Sequence, residues 1–502
     1  MNEASYISCE RISNMQGNSI VKGFVWKFLE RFGVSGIQFI LQIVLARLLD
    51  PSHYGVLSLM VVFTTLADVF IQGGFTTSLI QNKNVSEEDY SSVLWVSLGI
   101  AGFLYVAIFI GAPFIAEFYK MPDIVKPLRV LALMLFPGAL NSVQLAKVSR
   151  EMDFKKVFYS NIGGVVVSGL IGILIAYMGG GLWALVVQTL LNTVVSCLVM
   201  CVTVKLHVRF VCNLKRVGVL FSFGGKLLVS SLLETLYQDV RSLVIGKKYN
   251  SSTLGYYNRG KQFPQFITNA INGAVQSVML SAMSAEQDDR TRVKEIMRNS
   301  MSMSAYIIFP VMAGLAVIAE PLVSLLLTDK WLPCVPYLRV YCFTFAFYPV
   351  CGCNLQAINA IGRSDLYLKL EIIKKCYGLV ALIIAVVFFN SPLAIAMTAL
   401  IAILIEVLVD ASPNRKLLNY SYIEQMKDLM PSIALSLLMF CIVWLIGKLA
   451  LTSVLKITIQ IVTGVGVYLL FSELFKLRPY VLLKGICFKI LSRMKYKAKE
   501  NS

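Results

Sequence analysis

Stretches of about twenty apolar residues follow one another along this chain from residue 24 to residue 475, separated by short polar breaks. A helix needs roughly 20 apolar residues to cross the hydrocarbon core of a bilayer, and inside that core its backbone must satisfy its own hydrogen bonds. The pattern predicts fourteen transmembrane helices, within 24–48, 55–79, 91–113, 126–146, 157–178, 182–204, 218–245, 255–282, 300–322, 337–358, 370–389, 393–411, 430–449 and 456–475. Composition agrees: 57% of residues are hydrophobic before glycine is counted, and 15% are charged. Soluble domains carry roughly 25% charged residues. The expected fold class is an all-α polytopic membrane protein. The longest internal polar interruption, Ser284–Asn299, leaves no room for a soluble catalytic or nucleotide-binding domain.

Several chemistries are excluded by the same residues. Two histidines in the whole chain offer little for zinc binding or histidine general bases. Cys197, Cys201, Cys342, Cys376 and Cys441 lie inside apolar runs as small hydrophobes. Cys351 and Cys353 are too closely spaced for a zinc site and have no second pair, so no metal is expected. There is no phosphate-loop motif, and Asp288-Asp289, the one acidic doublet of note, sits in a mixed-charge loop. Enzyme activity and a self-contained ATP-driven pump are therefore not expected.

The net charge of +18 is a topology signal. With the N-terminus inside, the outside loops hold only Lys120, Lys126, Lys247, Lys248, Lys330 and Lys456, while inside loops and tail hold most of the remaining basic residues. The lead, 1–20, has no apolar core or cleavage site of the secretory kind. Both termini are expected in the cytoplasm, with the basic tail near anionic membrane lipids and no role for nucleic acid.

The sequence also repeats itself. At an offset of 200 residues, Gln38, Arg47, Asp50, Ser52 and Gly55 meet Gln238, Lys247, Asn250, Ser252 and Gly255. Further on, Pro127 and Leu128-Arg129-Val130 recur as Pro336 and Leu338-Arg339-Val340, and Asn141, Arg150, Phe154 and Lys156 match Asn354, Arg363, Tyr367 and Lys369. A six-helix unit has an even number of spans, so the two copies are parallel, and transporters built this way bind substrate between their halves. Spans 13 and 14 lie outside the duplication. The expected organisation is a lead (1–20), an N-terminal six-helix lobe (21–210), a C-terminal six-helix lobe (211–412), two additional helices (413–476) and a basic tail (477–502).

Polar groups at membrane depth are costly and normally face a protein interior or a hydrated cavity. Lys27, Arg31, Gln38 and Gln42 share a stripe on span 1. Span 7 carries Glu234, Tyr237, Gln238 and Arg241, with Lys226 near its start. Span 8 carries Arg259, Lys261, Gln262, Gln265, Asn269, Asn272 and Gln276, and span 2 offers Asp68 and Gln72. These are the first two helices of each repeat, as expected of two halves lining one cavity. Lys27, Arg31, Lys226, Arg241, Arg259 and Lys261 outnumber Asp68, Glu234 and Asp239, which points to an anionic group such as phosphate or pyrophosphate. Gln38, Gln238, Gln262, Asn269, Asn272 and Gln276 add amides, which both donate and accept. Carboxylates among apolar helices need a proton or a cation, so Asp68, Glu234, Asp239, Glu371, Glu406 and Asp410 are candidates for coupling to H+ or Na+, with Asp68, Glu234 and Asp239 preferred because the other three have simpler readings. Glu371 is expected to pair with Lys374 or Lys375, and Glu406 and Asp410 to be hydrated at a span end.

Four segments carry a family resemblance: 45–55 (LARLLDPSHYG), 78–89 (SLIQNKNVSEED), 239–246 (DVRSLVIG) continuing to 254–259 (LGYYNR), and 319–333 (AEPLVSLLLTDKWLP). The chain resembles the polysaccharide transporter family of the MATE-like (MOP) flippase superfamily, the Wzx-type exporters of lipid-linked oligosaccharides, over most of 20–410. The resemblance implies two six-helix lobes plus two helices, and flipping of undecaprenyl-pyrophosphate-linked sugar units across the bacterial cytoplasmic membrane for O-antigen, capsule or exopolysaccharide. It also implies alternating access around a cationic cavity whose amides, from Gln38 and Gln238 to Gln262, Asn269, Asn272 and Gln276, face sugar hydroxyls, together with a monomer and association with polysaccharide polymerase and export machinery. The rival readings are a multidrug–cation antiporter of the same superfamily, and a membrane glycan polymerase or ligase.

Overall fold

The computed structural model describes residues 33–485, apart from 73, 83–84, 205, 207, 212 and 450–451. Among the described residues the chain is helical, with no strand. Ten stretches of the described residues are long and apolar enough to cross a membrane, so this is a multi-pass membrane protein. The chain divides into two compact units, Met1–Gly255 and Tyr256–Ser502.

The first unit holds α1 (Ser35–Leu48), α2 (Pro51–Gln72), α3 (Phe75–Gln81), α4 (Glu87–Tyr119), α5 (Val125–Leu131), α6 (Leu135–Glu151), α7 (Phe154–Tyr177), α8 (Leu182–Thr203) and α9 (Leu214–Lys248). Local chemistry sets the helix ends. Ser86 and Asp89 form a capping box at the start of α4, where Glu87, Glu88 and Asp89 also complement the helix dipole. The tightest seam joins α7 to α8. Ser160, Gly164, Ser168, Gly172 and Ala176 recur every fourth residue of α7 and are buried, a small-residue stripe that lets two helices approach closely. Ser160 and Ser196 each donate a hydroxyl to the other's carbonyl, at 2.7 and 3.2 Å. A Cβ on Gly164 would stand 2.2 Å from the Ser196 hydroxyl, so only glycine fits. The long α9 packs against α2, α3 and α4 and therefore belongs to this unit.

The second unit holds most of α10 (Ser251–Ala285), then α11 (Arg290–Leu327), α12 (Val335–Ala346), α13 (Tyr348–Ala360), α14 (Ser364–Phe388), α15 (Pro392–Ala411), α16 (Asn414–Leu417), α17 (Tyr422–Gly447) and α18 (Ser453–Leu474). The polar interruption expected over Ser284–Asn299 is mostly helix. α11 starts at Arg290, where the Asp289 carboxylate accepts from the Thr291 and Arg292 amides, and runs for 38 residues. Charged residues beyond the apolar zone continue the helix because capping and propensity favour it there. α11 is the spine against which α17 and α18 pack, with Tyr306, Leu435, Met439, Val443 and Tyr468 in one apolar cluster. The Tyr306 hydroxyl donates to Ser472 and the Tyr468 hydroxyl to the Tyr306 carbonyl, each at 2.8 Å.

Arg129 and Arg339, matched in the expected repeat, make the same kind of contact. Arg129 Nε donates to the Phe109 carbonyl at 3.0 Å, and Arg339 Nε donates to the Ala316 carbonyl at 3.2 Å. Each fastens the helix that bears it to the long helix before it.

Candidate functional site

The interior of the first unit contains two neighbouring cavities along the α7–α8 seam. The larger, about 330 Å3, is lined by Asp68, Gln72, Thr76, Asn141, Ser142, Ser160, Asn161 and Thr193, with Met134, Leu135, Leu145, Val157 and Met200 as apolar wall. The smaller, about 110 Å3, is lined by Gln38, Gln42, Tyr54, Ser168, Gln188, Thr189 and Asn192 together with three aliphatic side chains. A transmembrane helix can carry this many polar groups only on a protein-facing stripe, and the spacing along α8 gives one. Gln188 and Asn192 are four apart, as are Thr189 and Thr193.

Asp68 is the ionisable group of the larger cavity. Its Oδ2 accepts from Gln72 Nε2 at 2.7 Å, one turn along the same helix. On the other side the Gly138 backbone approaches so closely that an added Cβ would lie 3.3 Å from Asp68 Oδ1. In the smaller cavity, Asn192 Oδ1 is buried and has no hydrogen-bond partner among the described residues. These walls offer amide donors and acceptors, hydroxyls and one carboxylate. That set suits a polyhydroxylated ligand, whose hydroxyls both donate and accept.

Of the residues singled out in the sequence, the two cavities bring in Asp68, Gln72, Gln38 and Gln42. Lys27 and Arg31 lie outside the described residues, as do the side chains of Lys226 and Gln276. On α9, Gln238 Nε2 donates to Glu234 Oε1 at 2.8 Å, an i, i+4 pair. Arg241 is buried and holds its guanidinium carbon 5.6 Å from the Tyr237 ring centroid, while Asp239 is half-buried.

In the second unit, Arg259 is 5% exposed and lies over the fully buried Trp331, 5.3 Å from its ring centroid. Its Nη1 donates to Gln262 Oε1 at 2.7 Å. Gln262, expected to face a glycan, thus gives its carbonyl oxygen to the arginine. Lys261 and Asn272 are half-buried and Asn269 is exposed. Gly260 next to Arg259 is needed for close approach, since a Cβ there would stand 2.7 Å from Tyr337 Cβ and 2.8 Å from the Cys334 carbonyl.

Sequence reasoning passed over Asn141, Ser160, Asn161, Thr193, Gln188 and Asn192, which supply much of the cavity wall. Their signal was available as polar steps of four within apolar spans. One expectation is corrected. Asp410 is not a hydrated residue at a helix end: it is completely buried, because α13 and α14 pack over α15 there. The expected pairing of Glu371 is present, with Lys374 Nζ 2.5 Å and Lys375 Nζ 3.8 Å from its carboxylate.

Comparison with known proteins shows the family and the fold. A family model described as "Polysaccharide biosynthesis protein" matches residues 44–336, more than half of the chain. The chain is similar to the succinoglycan biosynthesis transport protein ExoT of Rhizobium meliloti (strain 1021), 22% identical over 349 residues that cover 70% of this chain and 71% of that one. It is likewise similar to the teichuronic acid biosynthesis protein TuaB of Bacillus subtilis (strain 168), 25% identical over 349 residues, covering 69% and 72%. Among solved structures it matches the lipid II flippase MurJ in an inward closed conformation, with a TM-score of 0.75 at 16% identity over 91% of this chain and 98% of that one. An inward-facing multidrug resistance MATE family transporter of the MOP superfamily matches with a TM-score of 0.60 at 16% identity, over 78% and 98%. At such identities the structural likeness is one of fold.

Proposed function

The chain belongs to the polysaccharide biosynthesis protein family, and from that premise we propose that it flips undecaprenyl-pyrophosphate-linked oligosaccharide units across the bacterial cytoplasmic membrane for surface polysaccharide assembly. The observation that carries the reading is the polar interior of the first unit. A 330 Å3 cavity walled by Asp68, amides and hydroxyls is a costly feature inside a membrane protein unless polar cargo or water occupies it. Its chemistry suits the sugar part of such a substrate. The buried arginines Arg241 and Arg259 are each candidates for the pyrophosphate, since a guanidinium fork meets phosphate oxygens with two parallel hydrogen bonds. Lys27, Arg31, Lys226 and Lys261 complete the cationic set of the proposal. Gln38, Gln238, Gln262, Asn269, Asn272 and Gln276 are assigned to the glycan.

The architecture in this reading is two six-helix lobes plus α17 and α18, fourteen spans in all. The four spans beyond the ten apolar ones are then the shorter α1, the charge-bearing α9 and α14, and the amide-rich α10. The matched contacts of Arg129 and Arg339 support the duplication. Both termini are cytoplasmic, transport proceeds by alternating access in a monomer, and a proton or sodium gradient drives it. Partners are membrane lipids and the polymerase and export machinery of the same glycan.

The test is reconstitution. Purified protein in liposomes should move a lipid-linked oligosaccharide from one leaflet to the other, read by its exposure to an added glycosidase, with no change in glycan length. Chain extension would point to a polymerase. A second reading, cation export, is favoured by the lone carboxylate Asp68 in a cavity whose described lining holds no lysine or arginine. Accumulation of cationic dyes in a deletion strain with intact surface glycan would decide for it.

A further inference from the structure

The second unit buries a charge cluster between α14 and α15 that the substrate cavity does not use. Lys374, 6% exposed, places its ammonium 2.5 Å from Glu371 Oε1 and 3.3 Å from Asp410 Oδ2. Lys375 reaches the other oxygen of Glu371 at 3.8 Å. Glu406, one turn before Asp410, is near enough for its charge to act on Lys374. Glu371 and Asp410 thus share the one buried ammonium of Lys374. Asp410 has no exposed surface, and its Oδ1 has no hydrogen-bond partner among the described residues.

The other elements packed against α15 bring different groups to this region. α13 brings the Cys351 thiol beside the Asp410 carboxyl. The charged residue of α12, Arg339, reaches Glu320 and the Ala316 carbonyl. On α16, Arg415 and Lys416 are exposed. A buried carboxylate oxygen without a partner is costly while charged and cheap once it carries a proton.

We infer that Asp410 is the proton-binding group of a coupling site in the second unit, with Lys374 as its internal counter-ion. The ammonium already between Glu371 and Asp410 repels a metal cation, whereas a proton needs only the open Oδ1. Protonation neutralises Asp410, weakens its hold on Lys374 and leaves that ammonium to Glu371. Release to water restores the pair of bonds. The interaction between α14 and α15 therefore depends on the proton, which is how occupancy of the site would bias one helix arrangement over another. The inference rests on the transport reading only for what the proton drives.

The site can be tested without any glycan. Infrared titration of the purified full-length protein in lipid should show a protonated-carboxyl band that Asp410→Asn lacks, with both proteins unfolding at comparable temperature. Lys374→Gln should raise the midpoint of that band by a unit or more, because the carboxylate loses its counter-ion. An identical titration in Asp410→Asn, or an unmoved midpoint in Lys374→Gln, overturns the inference. In liposomes carrying lipid-linked oligosaccharide, the wild type should respond to an imposed pH gradient, and Asp410→Asn should lose at least about tenfold of that response. A response to sodium alone would also overturn it. A normal infrared titration in a protein that moves no oligosaccharide would leave the proton site standing and remove the transport reading.

Discussion

Gln72 Nε2 donates to Asp68 Oδ2 at 2.7 Å, so the carboxylate on the wall of the larger cavity is held by its own helix, one turn on. Asp68→Ala removes the ionisable group of that wall without touching a packed apolar core. Surface glycan should fall at least about tenfold at equal membrane abundance, the loss corresponding to one charge-assisted hydrogen bond of about 1.5–3 kcal/mol. Gln72→Ala should fall between this variant and wild type. Wild-type glycan in Asp68→Ala would take the cavity out of the transport path.

Arg259 and Trp331 form the second testable pair. A lysine at 259 keeps the charge but loses the planar fork, the bond pattern to Gln262 and the stacking over the indole. Arg259→Lys should retain less than about a third of export, an expected loss of the order of the 0.5–2 kcal/mol of a cation–π contact. Arg259→Ala should abolish it. Equal export in the arginine and lysine proteins, measured by glycan per cell, would assign residue 259 a plain charge role.

Gly55 and Gly255 meet where α2 and α10 begin. A Cβ on Gly55 would lie 1.8 Å from the Ser251 carbonyl oxygen, and one on Gly255 2.0 Å from that of Pro51. Both obstacles are backbone, which cannot rotate aside. Either Gly→Ala substitution should cost about 1–3 kcal/mol as overpacking does, seen as a lower thermal unfolding midpoint in detergent. Unchanged midpoints would mean that this crossing is not maintained in the free protein.

A buried amide knot ties α13, α16 and α17 together. Asn354 Nδ2 donates to Gln425 Oε1 at 2.9 Å, Gln425 Nε2 returns a bond to Asn354 Oδ1 at 3.0 Å, and Asn414 Nδ2 gives a second to that oxygen at 2.8 Å. All three residues are fully buried. Gln425→Leu strands polar atoms of Asn354 and should cost about 1–3 kcal/mol. The double variant Asn354→Leu, Gln425→Leu should cost less than the sum of the single ones. Simple additivity of the unfolding midpoints would show that the two amides act independently.

The apolar runs made the helices legible in the sequence, because a bilayer tolerates few other solutions. Helix ends were legible only where the apolar zone coincided with the helix. Residues 290–299 read as a loop by polarity yet form the first turns of α11, capped by Asp289. Asp68 and Gln38 stood out as polar residues in greasy surroundings, and the cavities contain both. The α7–α8 wall did not, since serine, threonine and asparagine are common as bonding groups between membrane helices. Two partners were invisible for a different reason. Trp331 lies 72 positions beyond Arg259, and Asp410 lies 36 beyond Lys374. Helical spacing predicts only neighbours within a turn or two, so it found Glu371 for Lys374 and missed Asp410.

The polar character of α9 bears on how the protein is made. Lys226, Glu234, Asp239 and Arg241 fall within its 35 residues, and a charged residue at the centre of a lone helix costs about 2.5–3.5 kcal/mol to insert. Left alone in lipid at the insertion machinery, such a helix would slide back toward water. Its contacts with α2, α3 and α4 come from segments synthesised earlier, which can already be in the bilayer to receive it. In the fourteen-span reading, order of synthesis and order of packing thus run in the same direction, and α9 would enter the membrane as a passenger of the helices before it.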